Sequence, residues 1–78
     1  MYTTQWCGYC SAARQLLTRK GQHWEEIDVE SDPEQRAAMM QRSGRRTVPQ
    51  IWIGDRHVGG FDDLSALEAS GELDALLA

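Results

Sequence analysis

The sequence predicts an α/β fold in which a mixed four-stranded sheet carries helices on both faces, in the order β-α-β-α-β-β-α. Three observations lead there. Apolar positions switch between short strand-like runs and the three- and four-residue steps of helix faces. A strand-helix-strand unit is followed by a helix and a hairpin, which makes the sheet mixed and its parallel part joined by a right-handed crossover. The chain has 78 residues, enough for one small domain, residues 1–78, with a limited core and no separate cofactor-binding unit. Its chemistry is therefore expected at an edge.

The elements follow in order. Tyr2-Thr3-Thr4 holds strand-favouring residues. Residues 11–20 are rich in helix formers, with Ala13, Leu16, Leu17 and Lys20 on one face and Gly21 as the stop. Residues 24–29 read as a second strand with Ile27 and Val29 inward. Ser31-Asp32-Pro33-Glu34 supplies a cap, a first-position proline and an early acid for a second helix. That helix is expected to bury Ala37 and Met40, with Met39 a further candidate, and to end near Gly44; its methionines read as core filler rather than sulfur ligands. Residues 50–53 and 56–59 flank a Gly54-Asp55 turn as a hairpin. After Gly59-Gly60, Asp62 is expected to cap a helix holding Leu64, Leu67 and Glu68. Gly71 interrupts it before a last apolar face of Leu73, Leu76 and Leu77.

Charge narrows the function classes. The formal charge of −4 argues against general nucleic-acid binding, which needs a basic face. The sign alternates along the chain, with Arg14, Arg19 and Lys20 in the first block and Arg36, Arg42, Arg45, Arg46 and Arg56 in the third; acids dominate the other two. No apolar run approaches the roughly 20 residues of a membrane span, and the start lacks the order of a secretory signal. A cytoplasmic protein without nucleic-acid or membrane partners is the expectation.

Cys7 and Cys10 are the only cysteines, in Trp6-Cys7-Gly8-Tyr9-Cys10. As a staple, the pair would close a loop so short that little stabilisation follows. As a zinc site it lacks partners, since only His23 and His57 remain and their spacing fits no finger pattern; both histidines read as surface residues. As a redox pair it needs only a suitable fold. The strand-to-helix turn puts Cys7 just ahead of the first helical turn, where unpaired N–H groups and the helix dipole favour a thiolate. Cys10 falls within that turn, behind Cys7, so Cys7 is expected to attack and Cys10 to resolve. A C-x-x-C beside a strand-helix-strand pattern accompanies the thioredoxin-like fold.

Cys7-Gly8-Tyr9-Cys10, Thr47-Val48-Pro49, Gly59-Gly60 and Asp62-Asp63-Leu64 together resemble the glutaredoxin family over essentially the whole chain. Arg42-Ser43-Gly44-Arg45 adds a likeness to short bacterial dithiol glutaredoxins of the glutaredoxin 3 type. The resemblance implies a glutathione-dependent thiol-disulfide oxidoreductase, normally monomeric, that reduces protein-glutathione mixed disulfides and protein disulfides, ribonucleotide reductase being one candidate partner. It implies a cis peptide before Pro49, which turns the Val48 backbone toward an extended ligand. Glutathione would then meet Tyr9, Arg36, Thr47, Val48, Pro49, Gly60, Phe61, Asp62 and Asp63, its γ-glutamyl carboxylate lying at the helix start after Gly60 and its amino group at Asp62 or Asp63.

Four positions depart from the family pattern. Gly8 replaces the usual proline, a variant that in some relatives accompanies a [2Fe-2S] cluster bridging two subunits, held by the attacking cysteine, here Cys7, and glutathione. Thr4 replaces a lysine or arginine, with Arg45 or Arg46 as possible substitutes. Phe61 replaces a small residue, and the first strand starts several residues nearer the cysteines, which leads us to expect a longer natural start. The alternative readings are accordingly an iron-sulfur carrier or sensor, a mycothiol-dependent mycoredoxin-like protein, and a donor for ribonucleotide reductase.

Overall fold

The computed structural model describes residues 1–78. Its elements are β1 (Tyr2–Thr3), α1 (Gly8–Arg19), β2 (Ile27–Asp28), α2 (Pro33–Ser43), β3 (Ile51–Ile53), β4 (Arg56–Gly59), α3 (Phe61–Ser70) and α4 (Glu72–Leu77). The mixed α/β class is as expected, with a difference in the sheet. β1 pairs β2 in parallel, β3 pairs β4 antiparallel, and the two ladders meet at one antiparallel bridge between Tyr2 and Gln50. A β1 of two residues has room for a single rung on that side. The same shortness trims the second strand: residues 24–26 stay outside the ladder, and the Met1 ammonium donates to the Glu25 carbonyl at 2.8 Å.

The core has two parts. Ala13, Leu16 and Leu17 of α1 pack with Ile51, Leu64 and Leu73. Tyr2, Val29 and Met39 form the second group, which seats α2. Helices therefore bury apolar surface against both sides of the strands, the arrangement that shields a small α/β sheet. In α2 the buried residue is Met39, whereas Ala37 and Met40 are exposed. The inward stripe runs through Gln35, Ala38, Met39 and Ser43, so polar residues on it hide the period, and the neighbouring apolar pair points outward.

Local chemistry sets the helix ends. The Asp32 carboxylate caps α2 by accepting the Gln35 N–H at 3.2 Å, Pro33 occupies the first turn, and Gly44 closes the helix at φ 70°. The expected cap of α3 is displaced. Gly60 holds the capping position, and Asp63, not Asp62, reaches back to accept the Gly60 N–H at 3.0 Å. A third-position carboxylate has the reach for that bond, which a second-position one lacks. No helix is long and apolar enough to cross a membrane.

Arg14 on α1 grips Glu26, with contacts of 2.8, 3.0 and 3.1 Å, and Glu26 also accepts from Trp24 Nε1 and Thr3 Oγ1 at 3.1 Å each. The Arg14 hydrogen bonds are the main reason the Glu26 carboxyl falls from its ordinary 4.5 to about 2. A depressed folded-state value means that the unfolded chain binds more protons between those two values, so the stabilisation is present above pH 4.5 and lost as pH falls toward 2. Replacing Glu26 by Gln is expected to flatten the dependence of melting temperature on pH across that interval; thermal melts from pH 2 to 6 check it, and an unchanged slope contradicts the assignment.

Candidate active site

Cys7 occupies the N-cap of α1 in an extended conformation, φ −117° and ψ 115°, and its sulfur accepts the Cys10 N–H at 3.2 Å. A cap of this kind satisfies one of the first-turn donors that a helix leaves open. The Cys7 thiol also faces the Val48 carbonyl at 3.7 Å. Cys7 is half-buried, while Cys10 is fully buried. Burial pushes the Cys10 thiol up to about 12, and its proximity to the Cys7 sulfur adds to the rise. At neutral pH Cys10 is thus a protonated thiol lodged behind an accessible one.

The second wall is the segment ahead of β3. Its Val48–Pro49 peptide is cis, as the resemblance implies. Pro49 is buried and Thr47 exposed, with Val48 between them opposite Cys7. The third wall is the start of α3. Gly59 has φ 116°, and a Cβ there would fall on the Asp63 carboxylate and within 2.9 Å of Arg45 Nη1, so only glycine fits. Asp63 accepts from Arg45 Nη1 at 2.9 Å and from the Gly60 N–H, and these two bonds hold its carboxyl below the usual carboxylate range.

These walls enclose a cavity of about 290 Å³. Tyr9, Thr47, Val48, Pro49, Gly60, Phe61, Asp62 and Asp63 all line it, so eight of the nine sequence-derived ligand positions converge. The ninth, Arg36, is exposed on α2 and is not among the lining residues; Arg45 is. Arg45 lies in the basic block beside Thr47-Val48-Pro49, and that placement in the sequence is the signal for it. Tyr9 and Phe61 stack with centroids 6.5 Å apart and form the aromatic side of the cavity. Trp6 stands outside it, 85% exposed.

A family model described as Glutaredoxin matches residues 1–58. The chain belongs to the glutaredoxin family. It is 58% identical over 78 residues to a glutaredoxin of Pseudomonas aeruginosa, covering all of this chain and 93% of that one. It is 48% identical over 77 residues to glutaredoxin 3 of Escherichia coli K12, covering 99% and 93%. Among solved structures, a buckwheat glutaredoxin-glutathione complex superposes with a TM-score of 0.91 at 32% identity, covering 97% of this chain and 72% of that one. The glutaredoxin of Brucella melitensis gives 0.86 at 58% identity, over 97% and 83%. Membership establishes a thiol-disulfide oxidoreductase on a thioredoxin-like fold.

The iron-sulfur alternative calls for a cluster between two chains, held by Cys7 of each and by glutathione. No group of three or more His, Cys, Asp or Glu side chains is placed to hold a metal ion. A [2Fe-2S] cluster takes four ligands, and Cys10 is enclosed, so one chain offers Cys7 alone. The site of one chain does not complete such a centre.

Gly8 tests the departure at the position after Cys7. A Cβ there meets nothing within 4 Å, the residue opens α1, and Cys7 already has the extended backbone that precedes proline. Gly8→Pro is expected to stabilise the protein by roughly 0.4–1 kcal/mol through the unfolded chain. Thermal denaturation checks this, and a lower melting temperature contradicts it.

Proposed function

We propose that this glutaredoxin reduces glutathionylated and disulfide-bonded proteins with glutathione as its electron donor, in the reducing cytoplasm. The observation that carries the reading is the placement of the Cys7 sulfur opposite the carbonyl of Val48, a residue that lines the cavity of about 290 Å³. An extended tripeptide can pair with the Val48 backbone in the manner of an added strand. Its γ-glutamyl carboxylate is met by first-turn N–H groups of α3, a ten-residue helix whose positive end faces the cavity. Asp63 is already engaged by Arg45, which leaves the exposed Asp62 for the ligand's amino group. Tyr9 and Thr47 flank the glycyl arm, and Arg36 takes no part in this pose. The buckwheat relative, described as a complex with glutathione, supports the choice of ligand.

In the proposed reaction the Cys7 thiolate attacks the glutathionyl sulfur of a mixed disulfide. The old S–S bond breaks, the substrate leaves as a thiolate that takes up a proton, and glutathione remains on Cys7. A second glutathione thiolate attacks that disulfide, releasing oxidised glutathione and the Cys7 thiolate. With a protein disulfide, Cys7 first forms the mixed disulfide with the substrate. Cys10 must then lose its proton to expel the partner, leaving a Cys7–Cys10 disulfide for two glutathione molecules to reopen.

Reduction of a glutathionylated peptide, followed by coupled NADPH consumption, is expected to vanish in Cys7→Ser and to persist largely intact in Cys10→Ser. Full activity without Cys7 contradicts the proposal. Running the same peptide as a mycothiol mixed disulfide separates the thiol partners, with the glutathione form expected to react faster.

A further inference from the structure

His57, expected at the surface from the sequence, is half-buried in β4 with its ring against Trp52 at a centroid distance of 4.5 Å. Its Nε2 lies 2.8 Å from Gln50 Oε1. Gln50 has no exposed surface, and its Nε2 donates to the Thr47 carbonyl at 3.0 Å and to Thr47 Oγ1 at 3.2 Å. The Gln50 backbone is fixed as well, through its N–H and carbonyl bonds to Tyr2 at 3.1 and 2.9 Å.

This network has one self-consistent polarity. Flipping the Gln50 amide would set its oxygen against the Thr47 carbonyl, two acceptors facing each other, so the amide nitrogen must point at Thr47 and the oxygen at His57. His57 Nε2 therefore carries the proton and donates. It does so in both charge states of the ring, so the contact needs a donor and not a titration. Beyond Thr47 the next residue is Val48, whose carbonyl faces Cys7 at 3.7 Å.

The structure assigns His57 a positioning role: through Gln50 it holds the Thr47 end of the Val48 backbone in the orientation that receives the ligand. The assignment rests on the proposed docking of glutathione along Val48. Without the His57 donor, the Gln50 oxygen is left buried and unpaired. Within the protein the oxygen regains a partner only by turning toward the Thr47 hydroxyl, which breaks the amide N–H bond to the Thr47 carbonyl. His57 touches neither ligand nor reacting sulfur in this scheme, so its loss weakens binding and spares chemistry.

The test compares wild type, His57→Leu and His57→Gln, the last of which keeps an N–H donor near the Nε2 position. Substrates are one peptide carried as a glutathione mixed disulfide and as a 2-mercaptoethanol mixed disulfide, which lacks the γ-glutamyl and glycyl arms. In His57→Leu the KM for the glutathionylated form is expected to rise about fivefold, the effect of losing one hydrogen bond, with kcat and the 2-mercaptoethanol reaction unchanged. His57→Gln is expected to recover to within about twofold of wild type, since it restores the donor. An unchanged KM in His57→Leu, equal slowing of both substrates in a protein that still melts cooperatively, or no recovery in His57→Gln overturns the assignment. A wild type that does not prefer the glutathionylated form overturns the docking instead. The relay is then judged on the ligand-free protein, where amide NMR shifts of Thr47 and Val48 must move in His57→Leu and return in His57→Gln; shifts that stay in place overturn it.

Discussion

A single backbone N–H organises the reactive end of this molecule. Cys10 donates it to the Cys7 sulfur, and that bond makes Cys7 the cap of α1 while Cys10 becomes part of the helix it starts. The three-residue spacing is what a cap requires, since a side chain at the N-cap reaches the N–H two or three positions on. The same spacing turns the second sulfur into the core, where Cys10 is fully enclosed. Two chemically identical residues thus acquire different access, and burial raises the Cys10 thiol to about 12. Asymmetry of access follows from where a helix begins.

The segment of Thr47, Val48 and Pro49 and the start of α3 lie far apart in the chain yet line one cavity, and the Arg45–Asp63 pair at 2.9 Å ties them together. That pair is exposed and contributes little to stability by itself. Its effect is on charge: it neutralises one of two adjacent carboxylates, while Asp62 stays exposed. Arg14 and Glu26 tie α1 to the segment before β2, and Arg14 Nη2 also reaches the Thr4 carbonyl at 3.5 Å.

Much of this was legible in the residues. Cap and stop signals located α1 and α2 closely, because Asp32, Pro33, Gly21 and Gly44 act within a few residues of themselves. The hairpin followed from Gly54-Asp55, and the cavity from motifs that lie far apart in the chain. What escaped depends on contacts between elements. Whether Met39 or Met40 faces inward is decided by Tyr2 and Val29, which no helical period within α2 reveals. Asp62 and Asp63 are alike in sequence, and only the reach to Gly60 separates them. The extent of strand pairing depended on how many rungs β1 could offer. His57 looked peripheral because its partner, Gln50, becomes buried only once β1 and β3 are side by side.

The central claim is that the start of α1 divides the two thiols into one that reacts and one that waits. Brief treatment of the reduced, folded protein with iodoacetamide at neutral pH, followed by peptide mass spectrometry, tests it directly. Modification is expected on Cys7 alone, with Cys10 labelled only after denaturation. Equal labelling of the two, or labelling of Cys10 first, would contradict the account.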